Sequence, residues 1–255
     1  MKSVRTVLFL FLVVFNGASS AATTRSDVII LEAAGEIKFI SQKIVKDYFY
    51  FAQHKEKNSQ LSSYLNKTLD YLDKQIIVIA TATKSSDTKD LLTFLAFSSE
   101  QIRETISQPY NEENAALMLD YSETLLEGSE SIFNEHRYAF SKEEQMLIKV
   151  KNMGYYIERI TKYYMAFQAG FTDLNNIRQL NMAVSSFDKA LEELKMYAYE
   201  DESKKSFITI SHFWGVVRDL YLNIEKRKLP NILNLSTLHL KEVLTTLEVY
   251  HSKNQ

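Results

Sequence analysis

The chain has 255 residues, no cysteine, two prolines, six glycines and a formal charge of −2. Without cysteine no disulfide framework can hold it, so a hydrophobic core must. The scarcity of turn-forming residues argues against an all-β or α/β chain, and the slightly acidic balance argues against a nucleic-acid partner.

Taken in order, the chain opens on an address. Lys2 and Arg5 precede an apolar run, Val7–Phe15, and the small residues Ala18, Ser19, Ser20, Ala21 and Ala22 follow. This pattern predicts a signal peptide over residues 1–22, cleaved near Ala21/Ala22, and export to the periplasm. The run is shorter than the about 20 apolar residues that a membrane-spanning helix needs. Loss of Lys2 and Arg5 takes the formal charge from −2 to −4.

The first helix is predicted from Ser26 to about His54. Ile30, Ala34, Ile37, Ile44, Tyr48 and Phe51 form its seam, with Ser41 on the same stripe and Lys38, Gln42, Lys43 and Lys46 along a polar, partly cationic edge. After a polar break at 55–59, the second helix carries Leu61, Leu65, Leu69, Leu72, Ile76 and Ile79. Ser85, Ser86 and Asp87 make the turn and offer the cap of a third helix, which must stop by Gln108 because Pro109 follows. Asn111 caps the fourth, which fades near Tyr138, and Gly128 within it predicts a close helix contact.

Ser141 and Glu144 then form the capping box of a fifth helix. Its seam, Met146, Val150, Met153, Ile157, Ile160, Tyr164 and Phe167, reproduces that of the first helix at an offset of 116 residues (30 to 146). Lys43 falls on Arg159, Lys46 on Lys162 and Gln42 on Glu158. At an offset of 115 (73 to 188), Leu65 falls on Leu180, Asp73 on Asp188 and Arg103 on Arg218, whereas the fourth and eighth helices show no convincing match. The sixth helix is predicted over Leu174–Tyr199, and Pro230 separates the seventh and eighth. The fold class is therefore all-α: eight helices in two tandem antiparallel four-helix-bundle units, residues 26–139 and 141–253. They could join end to end or merge into one bundle.

The segment Ala34-Gly35-Glu36-Ile37-Lys38-Phe39-Ile40-Ser41-Gln42-Lys43-Ile44-Val45-Lys46 resembles the first-helix motif, A-G-x-x-R-M-x-S-Q-R-x-x-K, of a family of sensor domains. That family comprises the N-terminal domains of type IV pilus chemotaxis transducers (the PilJ-type domain) and of nitrate/nitrite sensor kinases. The second unit carries the motif only in degenerate form. The resemblance implies a helical bundle outside the cytoplasm that senses a small ligand or a partner. In the nitrate-sensing members, the arginine of the motif binds the anion where two first helices meet across a dimer. Lys38 stands at that position here, and Gly154 at its counterpart in the second unit. Lysine offers a point charge where arginine offers a planar fork, so the implied anion need not be nitrate.

The ligand-binding residues expected on this resemblance are Lys38, Ser41, Gln42, Lys43 and Gly35. Ser41 can instead bond back to the Ile37 carbonyl as a core serine, and the lysines can be a solvated face. The family continues into a kinase or methyl-accepting output module, which this sequence does not carry. The expected partners are therefore a small anion or metabolite, a membrane-bound receptor or envelope protein, and a second copy in a homodimer. No cofactor, metal site or catalytic residue is expected: His54, His136, His212, His239 and His251 lack metal-ligand spacing, and no phosphate loop or nucleophile motif occurs. The alternative function is a structural or assembly protein of the cell envelope, docking other proteins without a small ligand. Surplus aromatic surface at Tyr155, Tyr156, Tyr163 and Tyr164 suits a contact between the two units or a dimer.

Overall fold

The computed structural model describes residues 25–53 and 58–254. The leader expected over residues 1–22, the first helix's end near His54 and most of the break after it lie outside the described residues. Eight helices follow in order: α1 (Arg25–Ala52), α2 (Asn58–Ala82), α3 (Ser86–Ser107), α4 (Glu112–Glu135), α5 (Lys142–Gln168), α6 (Leu174–Lys195), α7 (Asp201–Leu222) and α8 (Pro230–Lys253). Among the described residues there is no strand, and no helix is long and apolar enough to cross a membrane.

The predicted caps do their work. The side chains of Ser85, Asn111 and Ser141 each accept a hydrogen bond from the backbone N–H three residues on, and Glu144 completes the capping box. The sixth helix is shorter than the sequence predicts, ending at Lys195 instead of Tyr199. The chain leaves it so that the Tyr197 hydroxyl reaches Glu143 (2.7 Å) and that of Tyr199 meets His251 Nε2 (2.9 Å).

The two units neither join end to end nor share all their faces. They lie side by side through α1 and α5, and α1 packs on α5 about as extensively as on α2 and α4. Paired contacts run in the same direction along both helices: Lys38 over the Tyr155 ring, Gln42 with Arg159, Gln53 with the Met165 carbonyl. The pair is thus parallel, with matching positions at matching heights. One continuous core joins both units, from Ile37, Ile44 and Leu69 to Ile157, Tyr164 and Phe187. Burying each such side chain contributes about 1.5–3 kcal/mol.

The internal repeat extends further than the sequence shows. Met118 and Leu233, Ser122 and Thr237, Leu125 and Leu240, and Ile132 and Leu247 are buried at matching positions of α4 and α8. His136 and His251 share the same offset of 115 residues (136 to 251). Each ties the end of its unit's last helix to the first turn of its unit's first: His136 Nδ1 lies 3.1 Å from Asp27, and His251 Nδ1 lies 2.8 Å from Glu143. Asp73 with Arg103, and Asp188 with Arg218, form the same ion pair in the two units.

Candidate functional site

A cavity of about 350 Å³ opens where α1, α4 and α5 meet, near the start of α1 and α5. Helix α1 contributes Val28, Leu31, Glu32, Ala34, Gly35 and Lys38; α4 contributes Ser129, Glu130, Phe133 and Asn134. Tyr138 and Phe140, from the connection between α4 and α5, form a wall. Glu144, Leu147, Ile148, Lys151 and Asn152 of α5 complete it. Small residues of α1 and α4 border the space; a Cβ added at Gly35 would meet nothing within 4 Å. The wall is held by the cap of α5. Glu144 accepts the Ser141 N–H (2.7 Å) through one oxygen and the Tyr138 hydroxyl (2.6 Å) through the other. The Tyr138 ring meets Phe140 at 4.6 Å between centroids. Burial and this bond to Glu144 push the Tyr138 phenol up to about 12.

The structure divides the residues expected to bind ligand into two groups. Gly35 and Lys38 line the cavity. Lys38 is not a free cation there: its Nζ lies 2.8 Å from Glu130 Oε1 and 4.3 Å from the centre of the Tyr155 ring. Its counterpart Gly154 is backed by α8, where the tip of Lys241 would stand 3.1 Å from an added Cβ. Ser41, Gln42 and Lys43 are not among the lining residues; they lie further along α1 in a second polar assembly. Ser41, fully buried, donates to the Lys38 carbonyl (2.8 Å) and accepts from Gln42 Nε2 (2.9 Å). Lys43 pairs with Asp47 and the Tyr64 hydroxyl.

That assembly is a layer of charge between the units. Lys46, read from the sequence as an edge lysine, is completely buried, 2.9 Å from Glu158 and 3.1 Å from Asp47. Arg159 holds Glu123 with two bonds (2.9 and 2.7 Å) and reaches Gln42 and Gln179. Lys162, also completely buried, shares that carboxylate at 2.5 Å and donates to Ser122 at 3.1 Å. The layer sets four basic side chains, Lys43, Lys46, Arg159 and Lys162, against three carboxylates, Asp47, Glu123 and Glu158. Burial opposes charge on both lysines. For Lys46 the carboxylates of Glu158 and Asp47 outweigh it and hold the ammonium above its usual range. For Lys162, burial and then Arg159 outweigh Glu123, and the group is pushed down to about 7. Glu123 is itself held down to about 2, its own burial being outweighed by Lys162 and Arg159.

Sequence reasoning placed the carboxylates on polar faces, named Glu158 only as the counterpart of Gln42, and did not single out Glu123 or Glu130. The available signal was the polar edge of α1 facing a polar edge of α5 at the repeat offset. Of the aromatic surplus, Tyr155 lies at the contact between units, buried under Lys38, whereas Tyr164 packs within the second unit on Tyr221. Among the described residues no grouping of His, Asp or Glu is placed to hold a metal ion. No protein-family model matches this chain, and no curated protein or solved structure is significantly similar to it.

Proposed function

We propose that this chain is an exported sensory module that binds a small ligand in the α1/α4/α5 cavity and passes the signal to a membrane-bound receptor or envelope protein. The observation that carries the proposal is the cavity itself, about 350 Å³ and walled by both units, with Gly35 and Lys38 of the sensor-like motif in its lining. That volume lies within the range of small-molecule sites, roughly 300–1,000 Å³. In the nitrate-sensing members of the family that the motif resembles, the anion binds where two first helices meet across a dimer; α1 and α5 are the corresponding helices of one chain and meet in parallel. A ligand that wedges or draws together their first turns would act on the charge layer further along the same two helices. Packed interfaces of this kind respond by discrete helix shifts.

Because Lys38 is paired with Glu130, a purely anionic ligand would have to compete with that carboxylate. The decisive variant is Gly35→Leu, which fills open space on a helix and also replaces a poor helix former. A thermal-shift screen of the mature protein against small metabolites should give hits of several degrees at saturating ligand. Gly35→Leu should melt at or above the parent temperature and lose the hits. A flat screen on folded protein, or hits that survive in Gly35→Leu, would reject the site. The second reading, an envelope protein that docks partners without a ligand, is favoured by Phe94 and Phe97, which stand 64% and 58% exposed on α3.

A further inference from the structure

The cavity is built from matching faces of the two repeats that have diverged in charge. Positions 28, 31, 32 and 35 of α1 face positions 144, 147, 148 and 151 of α5, all at the offset of 116 residues (28 to 144), and all eight line the cavity. In a symmetric pairing the two faces would be identical. Here Glu32 on α1 matches Ile148 on α5, and Lys151 on α5 matches Gly35 on α1. The acid therefore stands on one helix and the base on the other, and a Cβ at Gly35 would meet no atom within 4 Å.

The remaining charges of the lining are already used. Lys38 pairs with Glu130, and Glu144 is bound by Tyr138 and the Ser141 backbone. Neither Glu32 nor Lys151 has an ion-pair or hydrogen-bond partner among the described residues. A ligand group meeting either one gains a charge-assisted bond without breaking an existing one, whereas any group meeting Lys38 must displace Glu130. The same lining supplies apolar surface from Leu31, Leu147, Phe133 and Phe140.

Resting on the cavity reading above, we infer that the ligand is a small zwitterion with an apolar body, the chemistry of a free α-amino acid bearing an aliphatic or aromatic side chain. Its ammonium meets Glu32, its carboxylate meets Lys151, and its side chain lies on the aromatic wall. A short apolar peptide presents the same two termini further apart.

The test is a thermal-shift and calorimetric panel on the mature protein: L-phenylalanine, L-leucine, leucyl-leucine, phenethylamine, 3-phenylpropionate, and small inorganic anions. Phenylalanine or leucine should bind at least about tenfold more tightly than either single-charge analogue, a ratio equal to about 1.4 kcal/mol. Glu32→Gln should erase the preference over 3-phenylpropionate and leave that over phenethylamine. Lys151→Met should do the reverse. Tighter binding of leucyl-leucine would assign the peptide as the source of the same chemistry. Equal binding of 3-phenylpropionate or an inorganic anion, lost in Gly35→Leu, would overturn the zwitterion and leave the cavity reading standing. No binding by any member to folded protein would overturn both.

Discussion

Lys46 and Lys162 occupy matching positions of α1 and α5, both fully buried in the layer between the units, yet their surroundings treat their charge oppositely. Lys46 stands between Glu158, from the other unit, and Asp47 beside it. Lys162 has only Glu123, whose two oxygens already hold Arg159. Burial costs both the same kind of desolvation; the number of carboxylates within reach decides the outcome. The repeat thus carries the lysine at both positions, while its partners differ with the residues that pack around each one.

Removing the lysines one at a time should separate these roles. Lys46→Met strands the buried Glu158 and leaves Asp47 to Lys43 and the Tyr64 hydroxyl, and its expected cost is about 3–5 kcal/mol in urea unfolding. Lys162→Met leaves Glu123 still held by two bonds from Arg159 and should cost at least about 2 kcal/mol less. A larger loss at Lys162 than at Lys46 would reverse the assignment. The sharper test is pH. The folded state holds Lys162 at about 7 and the unfolded chain near its ordinary value of 10.5. Between those values the unfolded chain binds more protons, so this group makes stability rise with pH across the window. Below about 7 its full penalty is present. The stability of Lys162→Met relative to the parent should therefore be greatest below pH 7 and fall steadily towards 10.5. A difference that stays constant with pH would show that Lys162 keeps its proton throughout.

A smaller contrast lies at the outer helices. Asp188 accepts from the indole N–H of Trp214 (2.7 Å) and from Arg218, whereas Asp73 accepts from the Ser99 hydroxyl (2.5 Å) and from Arg103. Both arginines are part-exposed, and such pairs contribute about 0.2–1 kcal/mol. The difference rests on the second donor. A serine hydroxyl can turn to a carbonyl of its own helix, but the indole N–H of the buried Trp214 has no alternative. Asp188→Ala should cost about 1–3 kcal/mol and Asp73→Ala about half of that, measured by the same unfolding curves.

The caps, the helix order and the repeat of the first three helices were legible because each is a local pattern in residue type. The match of α4 with α8 was not, because those helices share burial rather than identity: Ser122 stands opposite Thr237 and Met118 opposite Leu233 in the repeat, in equally buried places. His136 and His251 were visible but had no meaning until Asp27 and Glu143 were seen beside them. For the site, the motif led to Gly35 and Lys38, which line the cavity, and also to Ser41, Gln42 and Lys43, which lie in the charge layer. One helix face cannot announce which of its turns will meet a gap and which a neighbour. Lys151 reaches the cavity through the parallel seating of α1 against α5, and Glu130 through the packing of α4 on α1, long-range facts with no local signature.

The smallest effects separate two glycines that a sequence treats alike. Gly35 and Gly128 both interrupt helices, and alanine at either would gain about 1 kcal/mol of helix propensity. At Gly35 nothing opposes that gain, since an added Cβ meets no atom within 4 Å. At Gly128 the added carbon would lie 2.6 Å from Leu95 Cδ2, and Leu95 is wholly buried between α3 and its neighbours. The leucine can turn only by pressing on the core, at a typical cost of about 1–3 kcal/mol. Gly35→Ala should therefore raise the melting temperature by a few degrees, and Gly128→Ala should leave it unchanged or lower it. Equal gains at both sites would mean that Leu95 yields freely and that the α3–α4 contact is looser than the cavity wall it is compared with.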